Sequence, residues 1–433
     1  MNPTTGGGNY DEAELWKQSQ NQDLNQNTGD DVLAAATIDR TFVPTLFNDE
    51  NQDYSVSNPQ MQGSHISYFV KGVDKQGPWE GQRRYSHFHV LHETLMLRWP
   101  GVYIPKVPPK KAIGGKEIKF IHERRFYLER FLRKCALYDF IINSEEFLMF
   151  SRPNGDIEKN LGKLSRLPTA TAIDRLEQSL DVKQRNFDLT EKEQFNNTII
   201  EFSYFAKKVV PQLKVMKKMI KNFQQIKTSN IANHKGFYNI LSNYEEVNLN
   251  VYVEHDKQRM VLGHESKDKE YKEQVDNLIQ NLNNPFVDMY HWCKGETYDL
   301  QALVDAVLIR EQVEKQQKKY EEKKKNAQTD LENVNQGKKT VRTILKNSKD
   351  ATGLQSSLEN VEKEIENLQK MHEIITIYLG HQVIPRFRKD KHQIYCKLMQ
   401  QFNSMEIGNA YQVASFWNGI VQNPNVKTAV ASK

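Results

Sequence analysis

Three segments decide how this chain folds: RRYSHF at residues 83–88, PKVPPKK at residues 105–111 and HERRFYLERFL at residues 122–132. In the first, Tyr85 follows two arginines at the end of an expected strand. Prolines stiffen the loop of the second, and in the third Arg124 and Arg125 open an expected helix with an apolar face. Another helix is expected from about Phe88 to Arg98. Arginine forms bidentate hydrogen bonds with phosphate, lysine offers a point charge, and an aromatic ring can cover a sugar-like ring. Together the segments predict a site for a phosphorylated head group, although each one alone would be typical of a solvated surface.

These segments, with the strand-like runs before them, resemble a Phox-homology (PX) domain. YSVSNPQ at residues 54–60 resembles the first strand of that family, HISYFVKGV at residues 65–73 resembles the second, and RRYSHF resembles the third. PKVPPK resembles its proline loop, and ERRFYLERFL is similar to the helix that carries a second binding arginine. The resemblance implies an α+β fold over residues 51–155, with a three-stranded antiparallel sheet and a helical subdomain.

The resemblance also implies roles for four residues. By position, Arg84 would hold the 3-phosphate of an inositol lipid, and Tyr85 would pack under the inositol ring. Lys110 would meet the 1-phosphate side, and Arg124 would clamp the 4- and 5-hydroxyl groups. All four are present, so the expected ligand is a 3-phosphoinositide such as phosphatidylinositol 3-phosphate. Phosphorylation of the neighbouring Ser86 would be expected to repel the lipid phosphate.

The charge distribution favours an anionic partner. The 433 residues carry 60 Lys and Arg against 55 Asp and Glu, a net charge of +5. Residues 1–50 alone carry −7, so the remainder carries +12. A basic body fits a membrane surface or a nucleic acid. Residues 1–50 are rich in Asn, Gln, Gly and Asp, and we expect a disordered acidic tail. Residues 42–47 in this tail are either a docking motif for a coat or retromer-like partner or a linker.

The sequence offers little for catalysis, a cofactor or a metal. It has no Gly-rich phosphate loop in a strand–helix context, no Gly-x-Ser-x-Gly motif and no apolar run long enough to span a bilayer. The three cysteines, at positions 135, 293 and 396, are far apart, which favours a reducing compartment without disulfides. His87, His89 and His92 lie close together, and we expect surface histidines at a strand–helix junction. The expectation is a non-enzymatic, cytoplasmic protein that contacts membranes peripherally.

Residues 156–189 are expected to form a linker. Ile173, Leu176 and Leu180 have helical spacing there, which predicts a small amphipathic helix. It either lies on a membrane or packs against the next domain.

From residue 190 to 422 the pattern changes, because Gly and Pro become sparse and Lys, Glu, Gln and Leu dominate. Breakers predict three long helices at about residues 191–250, 267–346 and 352–422. Helices of this length leave an apolar stripe uncovered, so we expect an elongated antiparallel coil that forms a homodimer or heterodimer. A flexible tail is expected over residues 423–433.

This region resembles the BAR domain that follows the PX domain in one class of sorting nexins. MYHWCKGETYDLQALVDAVLIREQVEKQQKKYEEKKK at residues 289–325 resembles the second BAR helix. The ending IPRFRKDKHQIYCKLMQQFNSMEIGNAYQVASFW at residues 384–417 is similar to the closing helix, with Phe387 among basic residues and Trp417 near the end. The resemblance implies an all-α, three-helix BAR-type coiled coil that senses or induces membrane curvature.

Basic residues predict which surface of these helices meets a membrane. Four lysines fall on one side of the first helix, opposite apolar residues: Lys207, Lys214, Lys218 and Lys221. A second basic set lies at the expected turn between the second and third helices: Lys338, Lys339, Arg342 and Lys346. Each such charge near an anionic membrane contributes about 1 kcal/mol, so the array matters more than one residue. The alternative for both sets is an ordinary solvated face.

Together these features predict a sorting nexin on early endosomes that binds a 3-phosphoinositide and dimerises during endosomal protein sorting and transport. Two alternatives remain: a basic coiled-coil protein that binds nucleic acid, and a scaffold whose PX-like domain binds protein but no lipid. The intact set of four pocket residues argues against both, so we expect no nucleic-acid partner.

Overall fold

The computed structural model describes residues 53–62, 65–110, 118–182, 186–249, 262, 268–336 and 351–421. The two expected tails lie outside these residues, as does the second basic set, which comprises Lys338, Lys339, Arg342 and Lys346. The described chain divides into two compact units. Residues 53–211 and 297–390 build the first unit, and residues 212–296 and 391–421 build the second.

The first unit contains one antiparallel sheet of three strands in the order β1 (Ser55–Gln62), β2 (His65–Asp74) and β3 (Gly77–Arg84). The turn between β2 and β3 is fixed by the Asp74 carboxylate, which accepts a hydrogen bond from the Gln76 backbone N–H at 2.9 Å. Gly77 follows with φ of +102°, a conformation that only glycine adopts readily. The predicted three-stranded sheet is confirmed.

Five helices follow the sheet: α1 (Tyr85–Arg98), α2 (Ile118–Cys135), α3 (Asp139–Ile142), α4 (Glu145–Ser151) and α5 (Ile157–Gly162). Their apolar faces meet around Phe88 of α1, whose ring centre lies 5.0 Å from that of Phe150 on α4 and 6.4 Å from that of Phe131 on α2. All three rings are almost fully buried. They form the core on which the sheet and the helices are assembled.

Two expected helix boundaries are wrong. The RRYSHF segment is extended only as far as Arg84, and α1 begins at Tyr85. The helix starts earlier than expected because the backbone N–H of Arg84 donates to the ring Nδ1 of His87 at 3.3 Å. The helix α2 begins at Ile118, so Arg124 lies within the helix and not at its start.

The predicted linker helix exists as α6 (Thr169–Ser179), and its apolar face packs within the first unit. Ile173 and Leu176 are 3% and 1% exposed. Arg175 of α6 donates two hydrogen bonds to the fully buried carboxylate of Glu146, at 2.8 and 2.7 Å, and lies 4.0 Å from the ring centre of Trp99. Of the two alternatives, packing against protein therefore describes this helix, and lying on a membrane does not.

The rest of the described chain is mostly helical, as expected, but the helices are shorter than predicted. The helices are α7 (Leu189–Tyr244), α8 (Asp268–Asn281), α9 (Phe286–Asn335), α10 (Ala351–Ile377) and α11 (Ile384–Val421). A π-helical segment, Glu245–Leu249, follows α7, and another, Tyr378–Val383, joins α10 to α11.

The predicted second long helix is interrupted at residues 282–285. Pro285 lacks a backbone N–H, and the Asn284 side chain accepts from the Phe286 backbone N–H at 3.1 Å, which starts α9. The same side chain donates to the backbone oxygen of Gln224 at 2.7 Å and to Thr228 at 2.9 Å. Because these hydrogen bonds tie Asn284 to α7, packing within the second unit stabilises the interruption.

The second unit has its own core, in which α7, α8 and α11 bury apolar side chains together. Its members are Tyr238, Leu262, Tyr271, Val275, Leu278, Leu282, Phe416 and Ile420. Across the described ranges, every helix is either too short or too polar to cross a membrane.

Candidate functional site

Three elements of the first unit meet where the pocket is expected. The Tyr85 hydroxyl donates to the backbone oxygen of Pro108 at 2.7 Å, which ties α1 to the proline loop. The guanidinium carbon of Arg124 lies 4.5 Å from the ring centre of Tyr85 and 4.4 Å from that of Phe120. Lys110 is exposed, two residues beyond Pro108. The β3–α1 junction, the proline loop and α2 therefore form one side of a common site.

The two consecutive arginines at the end of β3 have different environments. Arg83 is 4% exposed, and its Nε and Nη2 donate to the backbone oxygens of Phe150 and Ser151, each at 2.8 Å. Burial lowers the pKa of Arg83 to about 10. Successive side chains of a strand point to opposite faces, so anchoring Arg83 in the core directs Arg84 outward.

Arg84 is partly exposed and bound to a carboxylate. Its Nε and Nη2 lie 2.8 and 2.6 Å from the Oε1 atom of Glu158 on α5. Burial, followed by the charge of Arg84, lowers the pKa of His87 to about 4, so this ring is neutral at neutral pH. Sequence reasoning missed Glu158, because it lies 74 residues from Arg84 and beyond the expected end of the PX-like segment.

The helix that carries Arg124 is pinned to the first strand. Arg125 donates to the backbone oxygen of Val56 at 2.8 Å, and the Glu129 carboxylate accepts from the backbone N–H of Val56 at 3.0 Å. Burial raises the pKa of Tyr68 to about 12, and the nearby Arg124 guanidinium partly opposes that rise. Arg124 is therefore placed by a fixed backbone and by aromatic rings on two sides.

The opposite side of α2 is held by α9 within the same unit. Arg130 forms a buried ion pair with Asp299 at 2.8 Å, in which the side chains are 7% and 4% exposed. The ring centres of Tyr127 and Tyr298 are 5.3 Å apart. The proline loop is also anchored there, because Lys106 pairs with Asp305. These contacts join residues about 170 to 200 positions apart, and no local sequence signal identifies them.

The four lysines predicted to face a membrane all lie exposed on α7: Lys207, Lys214, Lys218 and Lys221. Apolar residues were predicted on the side of the helix opposite these lysines. Leu213 and Ile220 lie there and are buried, at 6% and 4% exposed. Met216 is an exception, because it is 36% exposed.

A third side of α7 carries exposed apolar residues, which the sequence reasoning missed. In the second unit this apolar stripe comprises Val215, Met219, Phe223, Ile226, Phe237, Ile240 and Tyr244, each between 47% and 68% exposed. Their spacing places them on one face of the helix, separate from the buried face and from the lysines. Helix α7 thus has a second apolar face, which the described residues leave about half exposed apart from ring contacts of Phe223 with Phe286 and of Phe237 with Trp417.

The histidines near the expected pocket differ in how far they are buried. His89 is 25% exposed and pairs with Glu93 at 3.1 Å. His92 is buried beside Phe131, and burial lowers its pKa to about 3. The expectation of three surface histidines is therefore wrong for His92, and His87 is also largely buried at 18% exposed. Cys135, Cys293 and Cys396 are all free thiols.

Comparisons with known proteins agree with this architecture. The PX domain family matches residues 72–154. Sorting nexin-8 of Bos taurus is 38% identical over 84 residues, which cover 18% of this chain and 17% of that protein. Vacuolar protein sorting-associated protein vps5 of Schizosaccharomyces pombe is 36% identical over 69 residues, covering 16% and 12%. The kinesin-like protein KIF16B of Mus musculus is 29% identical over 135 residues, covering 30% and 10%. The chain thus spans at most 17% of the length of each of these relatives.

A solved structure extends the likeness beyond the PX segment. The SNX-BAR Mvp1 chain, from a cryo-EM structure of the tetramer, superposes with a TM-score of 0.59 at 15% identity. The match covers 86% of this chain and 100% of that one. At this identity the likeness concerns the fold, and it includes the long helices as well as the sheet.

Proposed function

Because this chain has the architecture of a sorting nexin, a PX domain followed by a BAR-like helical domain, we propose that it is a peripheral membrane protein of endosomal transport. In this proposal the PX domain recognises a 3-phosphoinositide, with phosphatidylinositol 3-phosphate as the expected lipid. The BAR-like helices form a dimer that senses or induces curvature on early endosomes.

The observation that carries the lipid assignment is the convergence of Arg84, Tyr85 and Arg124 with the proline loop that ends in Lys110. Arg124 lies over the Tyr85 ring, Arg84 precedes Tyr85 in the chain, and the loop bonded to the Tyr85 hydroxyl ends in Lys110. Cations from three elements beside an aromatic ring suit phosphate groups around an inositol ring. Because Arg84 ends a paired strand and Arg124 lies within a helix, these two require little backbone ordering on binding.

The dimer assignment is supported by the apolar stripe of α7. A face of large exposed apolar residues is costly in water, and a second copy of the chain would cover it. Dimerisation would also present two pockets to one membrane, so that a modest affinity at each site becomes avid binding. The exposed lysines of α7 would add attraction to the anionic surface.

The proposal is tested by co-sedimentation of the full chain with liposomes that contain or lack phosphatidylinositol 3-phosphate. We expect pelleting that depends on this lipid and is lost in Arg84→Ala. Arg166→Ala is the matched control, because Arg166 is an exposed arginine in the loop between α5 and α6. Electron microscopy of the same liposomes should show tubules with the wild-type chain.

Two results would contradict the proposal. The first is pelleting that depends on neither the inositol lipid nor Arg84 and is lost when salt is added. It would mean that a basic surface binds anionic lipid without a specific pocket. Tight, salt-dependent binding of DNA or RNA that is independent of Arg84 would favour a nucleic-acid partner.

A further inference from the structure

Glu158 reaches the pocket from a short helix with a fixed position. Asp156 caps α5, because its carboxylate accepts from the Lys159 backbone N–H at 2.9 Å. Ile157 and Leu161 of the same helix are 5% and 0% exposed. The Glu158 side chain, 36% exposed, therefore extends from an anchored backbone to the β3–α1 junction.

A single oxygen of Glu158 receives most of the available donors. Its Oε1 lies 2.8 Å from the Nε and 2.6 Å from the Nη2 of Arg84, and it accepts from the Ser86 hydroxyl at 2.5 Å. Burial alone would raise the pKa of Glu158, but the hydrogen bonds from Ser86 and Arg84 outweigh it and lower that pKa. The carboxylate is therefore ionised at neutral pH. His87, with its Nε2 at 3.7 Å, adds no positive charge because it is neutral.

This contact occupies the part of Arg84 that a phosphate needs. Arginine binds phosphate in a bidentate manner through adjacent N–H groups, and the Nε and Nη2 groups of Arg84 both point at Glu158. A phosphate monoester carries about −1.5 to −2 charges at neutral pH, so it repels a carboxylate placed at the same edge. Arg124 differs, because rings flank it and none of the carboxylates in the described ranges forms an ion pair with it.

We infer that Glu158 is an internal competitor of the head group, a carboxylate that holds Arg84 in the unbound protein and that a phosphate monoester must displace. Displacement also frees the Ser86 hydroxyl, which can then donate to a phosphate oxygen. The inference rests on the proposed lipid site. It means that Glu158, which lies outside the segment that matches the PX family, sets the affinity of that site.

The test is a binding titration of the full chain with vesicles containing phosphatidylinositol 3-phosphate. Glu158→Gln keeps the size of the side chain and one acceptor oxygen and removes its charge. We expect this variant to bind roughly twofold to tenfold more tightly than wild type, because removal of a partly exposed ionic competitor is a small effect.

Two controls separate this effect from general electrostatics. Glu80→Gln removes the same charge from an exposed residue of β3 that pairs with Lys71, and it should leave the affinity unchanged. Adding Arg84→Ala to Glu158→Gln should abolish the gain, because the gain acts through Arg84. Inorganic phosphate added as a competitor should not release the protein; release would overturn the assignment to a lipid head group.

The outcomes distinguish the inference from the proposed function. If wild type binds in an Arg84-dependent way and Glu158→Gln binds equally or less tightly, the competitor role is overturned and the lipid site stands. If neither protein binds the inositol lipid, both are overturned. If wild type binds weakly and Glu158→Gln binds well, both are supported.

Discussion

At the scale of single residues, the two arginines at the end of β3 differ in environment, which suits Arg83 to a structural role and Arg84 to the proposed recognition of a head group. The Arg83 side chain holds α4 through two backbone carbonyls, whereas the Arg84 side chain binds the partly exposed carboxylate of Glu158. Adjacent residues of identical type therefore have different roles, because the strand turns one inward and the other outward.

This division predicts different costs for the same substitution. Arg83→Ala removes three charge-assisted hydrogen bonds in a buried site, two of them to carbonyls of α4. We therefore expect a loss of about 2–4 kcal/mol in the free energy of unfolding. Arg84→Ala should cost less than about 1 kcal/mol, since its ion pair is partly exposed. Urea denaturation of the full chain measures both. Equal losses would show that Arg84 is also structural.

At the scale of elements, the helices of the first unit approach closely where small residues permit it. Gly380 lies in the π-helical segment Tyr378–Val383, and a methyl group added there would lie 2.6 Å from the backbone oxygen of Phe195 on α7. Such a separation is below van der Waals contact, so the segment can adopt this packing only with glycine.

Substitution of Gly380 by alanine is therefore expected to destabilise the first unit. We expect a loss of about 1–3 kcal/mol in the free energy of unfolding, because the clash is with backbone, which cannot rotate away. Gly236→Ala is the control, since a methyl group there meets open space on α7 and alanine favours the helix by up to about 1 kcal/mol. Similar stability of both variants in thermal denaturation would contradict the packing described.

At the scale of the whole molecule, the proposed dimer rests on the apolar stripe of α7. Ile240 is 68% exposed, the highest value in this apolar stripe. Association through this face would bury it, whereas an isolated chain would leave it in water.

Ile240→Asp is expected to convert a dimer into a monomer, because a buried unpaired charge costs several kcal/mol at an interface. Sedimentation equilibrium should give twice the 50.6 kDa chain mass for wild type and a single chain mass for the variant. Asn239→Asp adds the same charge to an exposed neighbouring position and should remain dimeric. Wild type that sediments as a monomer would contradict the assignment.

The sequence predicted the parts of the fold that depend on neighbouring residues. The three strands and the apolar face of α2 follow from local periodicity, and the four candidate pocket residues came from short segments that resemble a known family. What the sequence could not reveal depends on distant partners. Glu158 is 74 residues from Arg84, and Asp299 is 169 residues from Arg130.

The interruption before α9 and the exposed stripe of α7 were missed for different reasons. The Asn283–Pro285 segment is a recognisable stop, but helical composition on both sides outweighed it. The stripe alternates with buried and basic residues along one helix, and periodicity alone cannot say which of two apolar faces its own chain covers.

The most direct measurement of the central claim is calorimetric titration of the full chain with a soluble, short-chain phosphatidylinositol 3-phosphate. Without a bilayer, the lysines of α7 and the dimer's avidity contribute little, so the signal reports the pocket alone. We predict saturable binding at one site per chain that is lost in Arg84→Ala and retained in Arg166→Ala. Binding that survives Arg84→Ala unchanged would contradict the account.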